Sequence, residues 1–377
     1  MNIQLYDHSF HEVVSGGDVI VAEFAKAWIH SGHTVRISTH GEAVDFFAAR
    51  GISSFNLIIA SRIRTRYASV LLGSVAHLIN AAIDTAFRNS GESDLIFAGS
   101  WSLQDIVPAV INKIKNPKAV LAVGCYIFLL PPWTKSYGSN WLNRYVFWIE
   151  YGIGMMLTRF FANVIWTASP VDRDIAYLRF GKKSVAVRGG VDLVSTQRVS
   201  RSTKKKYDAV YLGRFHPQKN IIELIDIWAR VIREKPDATL AIAGAGFLKS
   251  AMEERIAKLK LADSIVLLPA MDNEEKFILL AQAKLFVSAS HYDTGNLAMD
   301  EALACGTPGV TYNLPKLVYP QGVVLVTPFN TGLFADTVVA LLTDEKRRQK
   351  LSFDAQVFAR TISWETQAAL ALESTKA

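Results

Sequence analysis

The chain has 377 residues, half of them hydrophobic, with 41 Lys and Arg against 34 Asp and Glu. That length and apolar fraction exclude a wholly disordered chain and predict two domains, each with its own core. The net charge of +7 admits nucleic acid, anionic lipid or phosphorylated partners. Its distribution narrows them: residues 1–190 hold 18 Lys and Arg against 13 Asp and Glu, and the remainder holds 23 against 21.

Two cysteines, Cys125 and Cys305, exclude a disulfide framework and lack the spacing of a structural zinc site. The most hydrophobic stretch, Tyr145 to Trp166, contains Glu150 and Arg159, which argues against a spanning helix. The first residues lack the basic and apolar regions of a secretory signal. A cytoplasmic location is expected, with peripheral membrane contact as an option.

Apolar runs at Ile3–Tyr6, Thr34–Thr39, Leu95–Ala98 and Ala119–Val123 alternate with amphipathic stretches, which predicts a parallel α/β sheet. A second series runs through Ala209–Leu212, Thr239–Ala243, Ile265–Leu268, Leu285–Ser288 and Val323–Val326. The expected architecture is α/β, with two doubly wound, Rossmann-like domains facing across a cleft. Their expected bounds are 1–190 and 206–355, with a polar, basic linker at 191–205 and a closing segment, 356–377, that packs back on the first domain. Ligands of such sheets bind beyond the carboxyl ends of the strands.

Three segments at predicted strand ends carry chemistry. Ser15-Gly16-Gly17-Asp18 opens the helical pattern Val19 to Trp28, so that free N–H groups could meet an anion; an ordinary tight turn is the plainer reading. Arg214 and Lys219 follow Ala209–Leu212 and can clamp a diphosphate, or remain solvated loop charges. Ser288 to Pro308 combines a strand end, a Gly-containing loop and a helix. Asp293 in the loop and Glu301 one to two turns into the helix can reach one elongated ligand, with the N–H groups of Gly295, Asn296, Leu297 and Ala298 between them. The plainer reading makes Asp293 a helix cap and Glu301 a surface charge.

Together these segments resemble glycosyltransferase family 4 and its GT-B relatives over nearly the whole chain. Gly32-His33-Thr34-Val35, Gly213-Arg214 with Lys219, Gly244-Ala245-Gly246, Arg188-Gly-Gly-Val-Asp192 and Ile362-Ser-Trp-Glu365 add to the likeness, and Asp293 to Glu301 is similar to its E-x7-E element. The resemblance implies a retaining, metal-independent transfer of a sugar from a nucleoside diphosphate sugar to an acceptor hydroxyl. That acceptor would be a glycan, a lipid-linked molecule or a small molecule, and no separate cofactor is implied. Glu301 would hold the ribose, Arg214 and Lys219 the diphosphate, and Asp293 the sugar. Gly16, Gly17 and Gly246 would complete the donor site.

The chain departs from the pattern in having Asp293 where the family has Glu, Gly189 for Asn, and Asn296 for Gly. No His lies between His77 and His216, which excludes a histidine base in the usual first-domain region; Gly124-Cys125-Tyr126 occupies it.

Asp172-Arg173-Asp174 superficially matches a metal-binding Asp-x-Asp but follows Ser169-Pro170, so helix capping is the better account. His8 and His11 lack suitably spaced partners, and no metal is expected. Arg62-Ile-Arg-Thr-Arg66 before the apolar stretch Tyr67–Ile83, and the aromatic Trp133–Phe161 with Lys135 and Arg144, suit an anionic membrane surface. Packing against the first-domain core is the favoured alternative for both. A GT-B-shaped binding or scaffolding protein without turnover is the rival to an enzyme. Nucleic-acid binding finds no recognisable module, and no nucleic-acid partner is expected.

Overall fold

A computed structural model of the chain describes residues 1–8, 16–61, 70–88, 91–129, 131–133, 141–200 and 203–376. They form two compact units, residues 1–189 with 364–377, and residues 190–363.

The first unit holds β1 (Asn2–Asp7), β2 (Thr34–His40), β3 (Leu57–Ser61), β4 (Leu95–Ala98), β5 (Val120–Gly124), β6 (Val164–Thr167) and β7 (Lys183–Ala186). Their order in the sheet is β3-β2-β1-β4-β5-β6-β7, every pair parallel. The helices are α1 (Gly16–His30), α2 (Val44–Ala48), α3 (Val70–Phe87), α4 (Leu103–Lys115), α5 (Trp141–Phe161) and α6 (Pro170–Phe180). Crossover helices on a parallel sheet bury its strands, which is why β4 and β6 are buried end to end and apolar but for Thr167. The order reverses between β1 and β4, and such a reversal leaves a crevice at the carboxyl ends of the two strands.

The second unit begins with α7 (Leu193–Ser200), followed by β8 (Tyr207–Leu212), α8 (Ile221–Glu234), β9 (Leu240–Ala243), α9 (Lys249–Lys258) and β10 (Ile265–Leu268). It continues through α10 (Asn273–Ala281), β11 (Ala283–Ser288), α11 (Leu297–Ala304), β12 (Gly309–Tyr312), β13 (Val323–Val326), α12 (Thr331–Thr343) and α13 (Glu345–Ala359). The sheet order is β10-β9-β8-β11-β12-β13, again all parallel, with its reversal between β8 and β11. Trp228, Tyr211, Phe286 and Phe334 fill the core between sheet and helices.

The final helix, α14 (Trp364–Ser374), belongs to the first unit and packs on α1. The Trp28 indole N–H donates to the Ala368 carbonyl at 3.0 Å, and that of Trp166 to Ser374 Oγ at 2.9 Å.

Several elements differ from the sequence expectation. Residues 193–200, read as linker, are helical because Asp192 caps them: its carboxylate accepts from the Ser195 N–H at 2.9 Å and from Ser195 Oγ at 2.7 Å. The closing segment is interrupted, since Arg360–Ile362 forms a 3-10 turn and the Ile362 carbonyl accepts from the Val191 N–H at 3.0 Å. The chain thus enters the first unit at Trp364, not at residue 356.

Helix α5 only partly fits a core-packing role. Tyr151, Met155 and Thr158 are buried, while Tyr145, Trp148, Ile149, Ile153, Met156 and Phe160 are exposed along the opposite side. Helix α3 likewise exposes Val75, Ile79, Ile83 and Phe87, spaced by four. No helix among the described residues is long and apolar enough to cross a membrane. Arg62 to Tyr67 and Lys135 lie outside the described residues, as does His11.

At the start of α6, Ser169 Oγ accepts from the Asp172 N–H at 3.1 Å and donates to Asp172 Oδ2 at 2.8 Å, so Asp172 belongs to the helix cap. Both cysteines are buried free thiols.

Candidate functional site

The residues of interest gather where the second sheet reverses. Beyond β8 the chain turns sharply and forms a single 3-10 turn, Pro217–Lys219, before α8. Beyond β11 it runs through residues 289–296 into α11. Hydrogen bonds tie the two loops together: the His291 N–H donates to the Gln218 carbonyl at 3.2 Å, and Gln218 Nε2 to the Tyr292 carbonyl at 3.1 Å.

Across this seam Lys219 Nζ lies 2.6 Å from Asp293 Oδ2, with Asp293 buried and Lys219 largely so. A charge-assisted bond of that length holds the ammonium in place while its other N–H groups remain available to an incoming anion. Arg214, by contrast, is exposed, and its guanidinium has no partner among the described residues. His216, between the two cations, has its imidazole held below the ordinary range by partial burial and by Arg214 and Lys219, a sign of locally positive potential.

The β9 loop braces the other side. A Cβ at Gly244 would stand 1.9 Å from the Gly213 carbonyl oxygen, and one at Gly246 within 2.5–2.8 Å of the Phe215 backbone. Both glycines also have positive φ, so a side chain is excluded twice over. Their absence of side chains lets Phe215 donate its N–H to the Ala245 carbonyl at 2.8 Å and fixes the turn that carries Arg214.

Asn296 caps α11: its Oδ1 accepts from the Met299 N–H at 3.2 Å, and its Nδ2 reaches Ser288 Oγ at 3.4 Å. Gly295, Leu297 and Ala298 stay partly exposed at the helix start, where the first N–H groups lack intrahelical acceptors. Glu301 lies one turn further on, and its Oε1 is 2.5 Å from Lys276 Nζ on α10.

The structure therefore brings Lys219, Asp293 and Asn296 together and sets Glu301 in a second ion pair. Gly16 and Gly17 belong to the other unit. There they are the opening residues of α1, with Asp18 buried in its first turn.

Sequence reasoning missed Lys276, and also the group in which Tyr312 donates to Glu223 Oε1 at 2.6 Å while His291 Nε2 lies 3.4 Å from Glu223 Oε2. These partners come from separate elements with no shared motif. Only the position of Tyr312 at the end of a buried strand could have pointed to them.

Residues 195–357 match the family model of the group 1 glycosyl transferases. The poly(glycerol-phosphate) alpha-glucosyltransferase of Bacillus subtilis is 29% identical over 164 residues, 42% of this chain but 24% of its own length. The glycogen synthase of Mycobacterium tuberculosis is 26% identical over 285 residues, 71% of this chain and 67% of its own. Among solved structures, that of HepE from Anabaena in complex with UDP and glucose superposes with a TM-score of 0.73 at 15% identity, covering 99% of both chains. Two parallel-sheet α/β units of the GT-B glycosyltransferase type are thus the fold of this protein.

Proposed function

We propose that this chain is a glycosyltransferase that moves a sugar from a nucleoside diphosphate sugar to an acceptor hydroxyl with retained configuration and without a catalytic metal. The observation that carries this reading is the Lys219–Asp293 pair, held at the sheet reversal beside the start of α11. The diphosphate would lie against Lys219, Arg214 and the N–H groups of Gly295 to Ala298. Those groups neutralise the charge that develops on the leaving phosphate. Asp293 would accept from sugar hydroxyls, and Glu301, fixed by Lys276, from the ribose. Gly246 keeps the β9 loop close enough to serve as the wall of that site. HepE, whose structure was solved with UDP and glucose, supports a donor of this class.

The exposed apolar side of α5 supports a lipid-linked acceptor met at a membrane surface. Exclusion of a histidine base agrees with front-face attack, in which the departing phosphate takes the acceptor proton.

Thermal unfolding of the wild type and of Glu301→Ala with UDP, GDP, ADP and their sugar conjugates tests the donor site. A ligand at about 100 times its dissociation constant adds about 2.7 kcal/mol to the native state. The reading requires that one nucleotide raise the melting temperature of the wild type and that Glu301→Ala weaken the response. No shift with any nucleotide would remove its support and favour a scaffold without a donor.

A further inference from the structure

In the first unit, β2 ends in a group of side chains of metal-ligating types. Its pairing with β3 shifts register between Thr39 and His40, an irregularity of the kind that re-aims a side chain at the end of a sheet. His40 is completely buried, and α3 brings the buried His77 against it, with ring centroids 4.5 Å apart and planes 29° from parallel. Glu42 follows in the 3-10 turn Gly41–Ala43 and contributes a half-buried carboxylate.

One ligand atom from each of the three lies within 4.8 Å of the other two. Around a tetrahedral zinc ion, with bonds of about 2.0–2.1 Å, ligand atoms stand about 3.3 Å apart. The side chains would need to close by at most about 1.5 Å to reach that spacing. A third buried imidazole, His8, stands at the end of β1 with Nε2 3.1 Å from Ser38 Oγ. Burial and the nearness of His40 and His77 push it down to about 3. Stacking accounts for His40 and His77 as a packed pair, and a carboxylate beside them is also an acceptor for an imidazole N–H; a metal ion engages one ligand atom of each residue at once.

We propose that His40, Glu42 and His77 bind one divalent transition-metal ion, with zinc the best match to two imidazoles and a carboxylate. Three protein ligands leave a fourth position to water, and the ion ties α3 to the end of β2. All three residues lie in the first unit, so the inference does not depend on the donor site.

The full chain, freed of any histidine tag and dialysed against a chelator, is titrated with zinc by calorimetry, and its thermal unfolding is followed with and without zinc. One zinc per chain and a raised melting temperature are expected. Glu42→Gln and His77→Gln should weaken binding by more than the roughly 10–100-fold typical of groups outside the ligand shell. His30→Gln, exposed on α1, should bind as the wild type does. Glu42 is half-buried, so its variant tests the site even where a histidine variant fails to fold. No binding by the wild type, or undiminished binding by Glu42→Gln, would overturn the proposal and leave a stacked histidine pair.

Discussion

Lys219 and Asp293 each have an obvious role toward a ligand, yet in the structure each is the other's partner, and that pairing separates stability from binding. Removing Lys219 leaves a buried carboxylate without its counter-charge, which costs about 3 kcal/mol, at the lower end of the usual range because the ammonium is not fully enclosed. Lys219→Met should therefore lower the melting temperature clearly, and adding Asp293→Asn should restore part of the loss by removing the stranded charge. Nucleotide binding should stay weak in both variants. A double-mutant cycle read by denaturant unfolding and by nucleotide titration checks both halves. Full recovery of nucleotide binding in the double variant would deny the pair a role in the donor site.

Asp7, at the end of β1, makes the opposite argument about charge. It is buried, its Oδ2 lacks a hydrogen-bond partner among the described residues, and desolvation together with Asp18 and Asp105 pushes its carboxyl well above the usual range. The native state then holds a proton that the unfolded chain gives up above its ordinary value of 3.8. Stability falls as pH rises from there through the native value, and it levels off beyond. Asp7→Asn removes that dependence. We expect it to melt above the wild type at pH 7, with the difference vanishing below about pH 4, where both side chains are neutral. Melting curves across that range decide the point.

Among elements, α11 is the one whose geometry depends most on a residue that departs from the family pattern. Asn296 both caps the helix and reaches back to Ser288 on β11, so it sets the direction in which the first N–H groups point. Asn296→Ala should cost about 1 kcal/mol of stability. If α11 holds the diphosphate, it should also weaken nucleotide binding, whereas Asn296→Ser, which keeps a capping oxygen, should largely preserve it. Equal nucleotide affinity in all three proteins would separate the helix start from the donor.

The same scale shows what the sequence could and could not reveal. Strands such as Leu95–Ala98 and Ile265–Leu268 were legible because each is a short apolar run bounded by polar and turn residues. β6 was hidden, since Val164–Thr167 continues the apolar stretch of α5 with only Ala162 and Asn163 between them. The Asp293-to-Glu301 spacing placed one acid in a loop and the other on a helix, but spacing carries no information about Lys276, which arrives from a different helix. The outward side of α5 was illegible for a related reason: an apolar stripe has the same period whether it meets a core or remains exposed.

At the scale of the whole molecule, the chain leaves the first unit at Gly189 and comes back to it at Trp364, so that unit is completed only when residues 364–376 have been made. α14 carries more than its short length suggests. Trp364, Gln367, Ala368 and Ala371 are buried, Trp364 packs edge-on against Phe24, and both the Trp28 and the Trp166 indoles find their acceptors on this helix. Truncation after Ser363 would expose that aromatic cluster and strand two indole N–H groups, each costing about 1–3 kcal/mol if it stays buried. Residues 190–363 keep all of their own sheet and core. Calorimetry of the truncated chain should then show the transition of the first unit shifted down or lost, with a rise in dye-binding apolar surface. A second transition should persist and still respond to the nucleotide that stabilises the wild type. A single cooperative transition that falls as a whole would show instead that the two units unfold as one, and that α14 stabilises both.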